Sequence, residues 1–244
     1  MKKTRMQKSW GDRSGTPKTA HAGDKSPPET LSRADQIYWT VRNRICTNRF
    51  MPGEIIREEE LANEFEVSRS PIRRVLAKLE HEGLVEVRHG VGTRVTELDR
   101  EALTSIYNIR MMLWAQTGPY FANPLPQELG DQLQGHLEAF RSLPPLDLHG
   151  FADVNIAYYL DLTATVENAC MREMHRNLFF STSRMWLIKL PLLDWDVTIG
   201  SISAEIEDKI LAVRNNDPTG LGYVARNAIA NNLVPLARGD REDG

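Results

Sequence analysis

Between Val67 and Leu84 the chain reads VSRSPIRRVLAKLEHEGL, which sets Arg69, Arg73, Arg74 and Lys78 at near-helical spacing. A guanidinium carries a rigid fork of N–H donors that pairs bidentately with a phosphate or with the O6/N7 edge of guanine. Ser68 and Ser70 add short hydroxyl donors beside that fork. The same residues taken alone also describe an ordinary solvated basic helix face. The next segment of chain decides between the two. LVEVRHGVGTRVTEL sets Val85, Val87, Val91 and Val95 in alternation with polar residues around a glycine-bearing tip. That is the pattern of a β-hairpin. Arg88, His89 and Arg94 put cationic and hydrogen-bonding groups on it, and Gly90 and Gly92 allow backbone N–H groups to approach a partner closely. A basic helix end leading into a basic hairpin points to nucleic acid.

Positioning these groups needs a scaffold, and the flanking sequence supplies one. Ile37, Val41, Ile45 and Phe50 form an apolar stripe that predicts a helix over 34–48. Pro52 and Gly53 break it, and the backbone runs extended through Ile55 and Ile56. REEELANEFEV restarts a helix with acidic residues in its first turn, where they suit the dipole. Glu66 and Val67 form a short turn. Pro71 is then expected at the first position of the next helix with Ser70 as its N-cap, because proline is tolerated where the N–H would be unpaired. Ile72, Val75, Leu76 and Leu79 mark its buried face, and Gly83 ends it. Three short helices and a hairpin make a winged helix-turn-helix.

The totals agree with two parts. The chain has 244 residues, room for one large domain or two modest ones. Through Leu98 there are 18 basic against 14 acidic side chains, and beyond it 12 against 19. The basic front is the part suited to a polyanion. Residues 1–31 read as a flexible basic tail, 32–98 as the DNA-binding domain and 99–240 as a second, all-α domain. Helices are expected over 99–122, 126–142, 147–167, 169–191, 199–216 and 218–237, with Pro124, Pro126, Pro144, Pro145, Pro191 and Asp217-Pro218 between them. No apolar run approaches the roughly 18 residues a membrane helix needs, and no export signal is visible, so a cytoplasmic, nucleoid-associated place is expected. Cys46 and Cys170 read as buried free thiols.

Residues 34–98 resemble the winged-helix domain of the GntR family of bacterial transcription regulators, on the pattern PGEIIREEELANEFEVSRSPIRRVLAKLEHEGLVEV…HGVGTRV. The resemblance implies contacts to double-stranded DNA at a palindromic operator from Ser68, Arg69, Ser70 and Arg73, and from His89 and Gly90 at the wing tip. A further family contact falls near Glu59, where an acid would repel phosphate, and it is not carried over. The helical remainder is similar to the FadR-type (FCD) effector domain, a bundle of six to seven helices, with LTSIYNIRMMLWAQTGPYFA as its first long helix. Arg110 stands at that helix's usual arginine, while Trp114 occupies a place where glutamate is frequent.

Many such domains hold a divalent metal with one Asp and three His. The corresponding segments here are DVNIA, EDKI and NNL: Asp153 stays, but Ala157, Glu207 and Asn232 replace the histidines. With no imidazole in the set, no metal is expected. The resemblance instead implies a homodimeric repressor whose bundle binds a small-molecule effector, an organic acid held by Arg110 with Asp153, Glu207 and Asn232. Tyr158 and Arg184 are secondary candidates by helix phase. His175 reads as a core or surface histidine rather than a ligand. An alternative keeps the DNA-binding half and makes the bundle a dimerisation or docking module. No nucleophile, phosphate loop or metal signature supports catalysis, so the chain is not expected to be an enzyme.

Overall fold

The computed structural model describes residues 32–88, 92–97 and 99–238, with the side chains at 100 and 232–238 excepted. The basic tail over 1–31 and the tip residues His89, Gly90 and Val91 lie outside the described residues, as does residue 98, beside the expected domain boundary.

The chain is mainly helical, with a small sheet near its N-terminal end. Helix α1 (Arg33–Cys46) starts where the Ser32 hydroxyl accepts from the Asp35 N–H, and it buries Ile37, Val41 and Ile45. Strand β1 (Ile55–Ile56) comes after a turn in which Gly53 takes φ +84°. Helices α2 (Glu58–Glu64) and α3 (Arg69–His81) come next, then strands β2 (Val85–Arg88) and β3 (Gly92–Val95). The sheet order is β1-β3-β2, all antiparallel, with Val85 opposite Val95 and Ile56 opposite Thr93. The extended Ile55-Ile56 segment is therefore a third strand on the wing.

Helices α2 and α3 are closed by the same device. After α3, the Gly83 N–H donates to Glu80 O and the Leu84 N–H to Leu79 O, with Gly83 at φ +72°. This is a Schellman closure with glycine in the left-handed position. After α2 the pattern repeats, with Val67 N–H on Ala62 O, but the left-handed residue is Glu66 at φ +53°. Ile72, Val75, Leu76 and Leu79 of α3 are all buried, and α3 packs against α1 and α2.

Six further α-helices complete the described residues: α4 (Arg100–Ala115), α5 (Gln127–Ser142), α6 (Leu148–Ala164), α7 (Ala169–Lys189), α8 (Trp195–Arg214) and α9 (Pro218–Arg238). Asp99, Asp147, Asn168 and Asp194 accept first-turn N–H groups as N-caps, and Asp217 does the same for Gly220 ahead of α9. These caps satisfy N–H groups that a helix leaves unpaired at its start. Helix α4 packs on α9 and α7, α5 on α6 and α8, and α8 on α9. Beyond Asp99 the described residues hold only a single antiparallel bridge, Phe121 with Val166, in place of a sheet. No described helix is long and apolar enough to cross a membrane.

Candidate nucleic-acid interface and bundle cavity

Helix α3 begins at Arg69 rather than at Pro71, and its N-cap is Ser68 rather than Ser70. Pro71 is thus the third helical residue. Its missing N–H still belongs to the first turn, where no intrahelical partner exists, so the proline costs no ladder bond. Starting two residues earlier puts Arg69 and Arg73 one turn apart on the same helix. Both are exposed, as are Ser68, Ser70 and Arg74. Lys78, two turns deeper, lays its ammonium 3.6 Å from the centre of the Tyr38 ring.

Neither leading arginine stands alone. Arg69 Nη2 lies 2.9 Å from Glu59 Oε2, and Arg73 Nε donates to Glu58 Oε2 at 2.7 Å. Both acids belong to the first turn of α2. On the wing, Arg88 is exposed and pairs with Glu86 at 2.8 Å. Arg94, expected beside it, instead turns back: it donates to Gly53 O at 3.0 Å and pairs with Glu97. The cause is register, since Arg94 sits opposite Ile55 on the central strand and not at the tip.

The bundle holds a partly open cavity of about 70 Å³ among α4, α6, α7, α8 and α9. Arg110 lines it and is 7% exposed. Its Nη1 donates to Thr182 Oγ1 at 2.7 Å, while its Nε is buried without a hydrogen-bond partner. The guanidinium lies among rings, 5.3 Å from the Tyr107 centroid and 5.6 Å from those of Tyr159 and Phe179. No carboxylate pairs with it among the described residues. Across the same cavity Lys209, buried, pairs with Glu205, and Tyr158 donates its hydroxyl to Glu205 Oε1 at 2.9 Å. Burial pulls the Lys209 ammonium below its ordinary pKa against the pull of Glu205 and pushes the Tyr158 phenol well above its own. With Lys209 neutralised by Glu205, Arg110 leaves the cavity with one surplus positive charge.

Two of the residues expected beside Arg110 are elsewhere. Asp153 pairs with Arg49 at 3.6 Å, at the seam with the winged helix. Glu207 is exposed and accepts from Arg141 Nη2 at 2.6 Å. Ala157 is also exposed. Asn232 lies on α9, but its side chain is outside the described residues. The physical reason on α8 is phase: two residues along a helix is a turn of about 200°, so 205 and 207 face opposite ways. Arg184, a secondary candidate, does not line the cavity; it is 2% exposed and donates to Thr96 Oγ1 at 2.6 Å. Tyr158 does line it. Among the described residues no three His, Cys, Asp or Glu side chains gather as a metal site.

Comparison with known proteins fits this geometry. The family model "Bacterial regulatory proteins, gntR family" matches residues 33–95, from α1 to the end of β3. Residues 33–95 therefore form a GntR-type winged helix. An HTH-type transcriptional regulator of Bacillus subtilis, YdhC, is 39% identical over 90 residues, which is 37% of this chain and 38% of that protein. The gluconate operon transcriptional repressor of Bacillus licheniformis is 26% identical over 156 residues, covering 62% of this chain and 64% of the repressor. Each of these two matches spans less than two thirds of the relative's own length. Among solved structures, E. coli McbR/YncC superposes with a TM-score of 0.72 at 18% identity over 86% of this chain and 99% of that one. At that identity the likeness is one of fold. The two curated relatives bear the names of transcription regulators.

In the helical bundle, Glu205 and Lys209 line the cavity in a way that the sequence does not announce. An acid with a lysine four residues later is the usual mark of an exposed helical ion pair, and only burial reveals the pair as internal. His175 is 1% exposed, with its ring 4.0 Å from that of Trp114 and its Nε2 2.8 Å from Thr117 Oγ1. Burial, with Arg110 nearby, lowers its pKa to about 3, so the imidazole is neutral. Cys46 is buried, its thiol pushed up to about 11, whereas Cys170 is exposed rather than buried. Cys170 falls at the start of α7, where Asn168 and Ala169 also face solvent.

Proposed function

We propose that this chain is a DNA-binding transcription regulator, a homodimeric repressor, whose operator affinity is set by a small anionic effector in the helical bundle. The observation that carries the DNA-binding half is the pair Arg69 and Arg73, exposed one turn apart at the start of α3, within the segment that matches the family. Such a helix enters the major groove by its leading end. Arg69 and Arg73 take base edges or phosphates, Ser68 and Ser70 assist, and His89 and Gly90 work from the wing tip. Two chains place two α3 helices on a palindromic duplex, half-sites about one helical turn apart. Repression is the expected direction, since relatives bear the names of gluconate and D-xylose operon repressors.

The effector half rests on Arg110. A buried guanidinium lacking a carboxylate, walled by aromatic rings, suits a compact monoanion such as a carboxylate. Lys209, Glu205 and Tyr158 offer hydrogen bonds to a hydroxyl on the same molecule. Helix α7 supports communication: Ser183 lines the cavity, and its neighbour Arg184 holds Thr96 at the base of the wing. An effector acts only through different affinities for the two arrangements it selects between. The cavity size favours a second reading, a bundle that serves dimerisation or docking alone. About 70 Å³ is well below the roughly 300 Å³ of an ordinary ligand pocket, so a ligand must open it further.

Enrichment of a random duplex library by the full chain tests the DNA-binding half. Recovery of a palindromic motif is the expected result, and failure to enrich any sequence would contradict it. For the bundle, a thermal-shift panel of small carboxylates is expected to contain a stabilising compound whose effect disappears in Arg110→Met.

A further inference from the structure

We infer that Glu58 and Glu59 tune the α3 interface in different ways, Glu58 setting base discrimination through Arg73 and Glu59 lowering overall affinity through Arg69. The inference rests on the DNA-binding reading above. A guanidinium has five N–H groups, and which of them a carboxylate occupies decides what remains for a base. Arg73 meets Glu58 through Nε, at 2.7 Å. That contact leaves both terminal Nη groups free, and these form the fork that grips guanine O6 and N7 bidentately. The Glu58 side chain is 33% exposed, about half the exposure of its neighbour Glu59 at 68%. Glu58 therefore works as a buttress. It fixes the Arg73 rotamer before DNA arrives and reduces the rotamer freedom lost on binding.

Arg69 meets Glu59 through Nη2, at 2.9 Å, the end of the fork itself. A base or a phosphate has to displace that carboxylate. Glu59 is the more exposed acid, and water screens an exposed pair strongly, so displacement is feasible but costs affinity. Where Arg69 meets a phosphate, that cost is the same on every duplex, because a phosphate contact carries no sequence information. Glu60, the third acid of that turn, is paired with Arg57 at 3.0 Å and takes no part. A turn of three consecutive acids at a polyanion interface would otherwise only weaken binding. Here one acid raises discrimination, and another lowers affinity for every duplex alike.

The test uses the full chain and the duplex it enriches, with every base pair of the half-site varied in turn, and with an unrelated duplex as reference. Glu58→Ala is expected to lower the enriched-to-unrelated affinity ratio about tenfold, with the loss concentrated at one or two base pairs. Glu58→Gln keeps an acceptor for Arg73 Nε and is expected to restore most of that ratio. Glu59→Gln is expected to raise affinity for both duplexes about three- to tenfold and leave the ratio unchanged. An unchanged ratio in Glu58→Ala, or an unchanged affinity in Glu59→Gln, would overturn the inference while leaving DNA binding intact. If the unaltered chain enriches nothing, the DNA-binding reading itself has failed.

Discussion

Glu66 holds a backbone conformation that glycine adopts freely and that a side chain strains, at φ +53°. It sits where the chain turns from α2 into α3, so the strain sits at the corner that aims Arg69 and Arg73. Glu66→Gly is expected to stabilise the fold by about 0.5–1 kcal/mol in urea denaturation, and a loss of stability would show that the Glu66 side chain makes a compensating contact. His175 gives a second residue-scale outcome. Its folded pKa of about 3 lies below the ordinary value of 6.5. As pH falls below 6.5 the unfolded chain takes up the proton and the folded chain does not, so stability drops down to pH of about 3. The slope from this group approaches about 1.4 kcal/mol per pH unit. Denaturation series from about pH 7 to about pH 4 should be shallower by that amount in His175→Gln, and equal slopes would contradict the assignment. At this scale the sequence is most readable where residue type dictates geometry. Gly83 is legible as a helix stop. The cap of α3 is not, because Ser68 and Ser70 are equally good caps two residues apart, and Pro71 is compatible with both starts.

Elements are legible wherever periodicity is strong. The buried stripe of α3 is plain from Ile72, Val75, Leu76 and Leu79, and the breaks between bundle helices are plain from prolines and acidic caps. Strand β1 reads in sequence only as extended chain, since two residues carry no period and the strand exists through its pairing with β3. Which face of α8 points inward is not legible either. Glu205, Glu207 and Lys209 are all charged, and only packing in the bundle selects 205 and 209. Close approach between elements is equally invisible in sequence. Gly222 on α9 has room for no side chain, because a Cβ there would fall 2.8 Å from the Trp114 carbonyl oxygen at the end of α4. Gly222→Ala is therefore expected to destabilise by about 1–3 kcal/mol despite alanine's better helix propensity. An increase in thermal midpoint would contradict the close α4–α9 contact.

At the scale of the molecule, α7 joins the two halves. Phe179 and Ser183 line the cavity, while on the other side the Arg42 guanidinium lies 3.9 Å from the Phe180 ring and Asn48 donates to the Arg184 carbonyl at 3.2 Å. Asp153 and Arg49 add an ion pair across the same seam. A change in the cavity therefore has a packed route to the wing. Residues 32–98 balance 11 basic against 11 acidic side chains, the front's surplus of positive charge lying in residues 1–31. A duplex would therefore meet the winged helix through local cations such as Arg69, Arg73 and Arg88, and the association is expected to weaken with salt as phosphate counterions are released. In the proposed function, Arg69 and Arg73 read DNA from the start of α3. Anisotropy titration of the enriched duplex with the unaltered chain and with the Arg69→Ala, Arg73→Ala double variant, at low and high salt, tests it most directly. The expected result is at least about a thirtyfold loss of affinity for the enriched duplex in the variant, with a shallower salt dependence. Equal affinity and equal salt dependence in the two proteins would show that these arginines do not meet DNA.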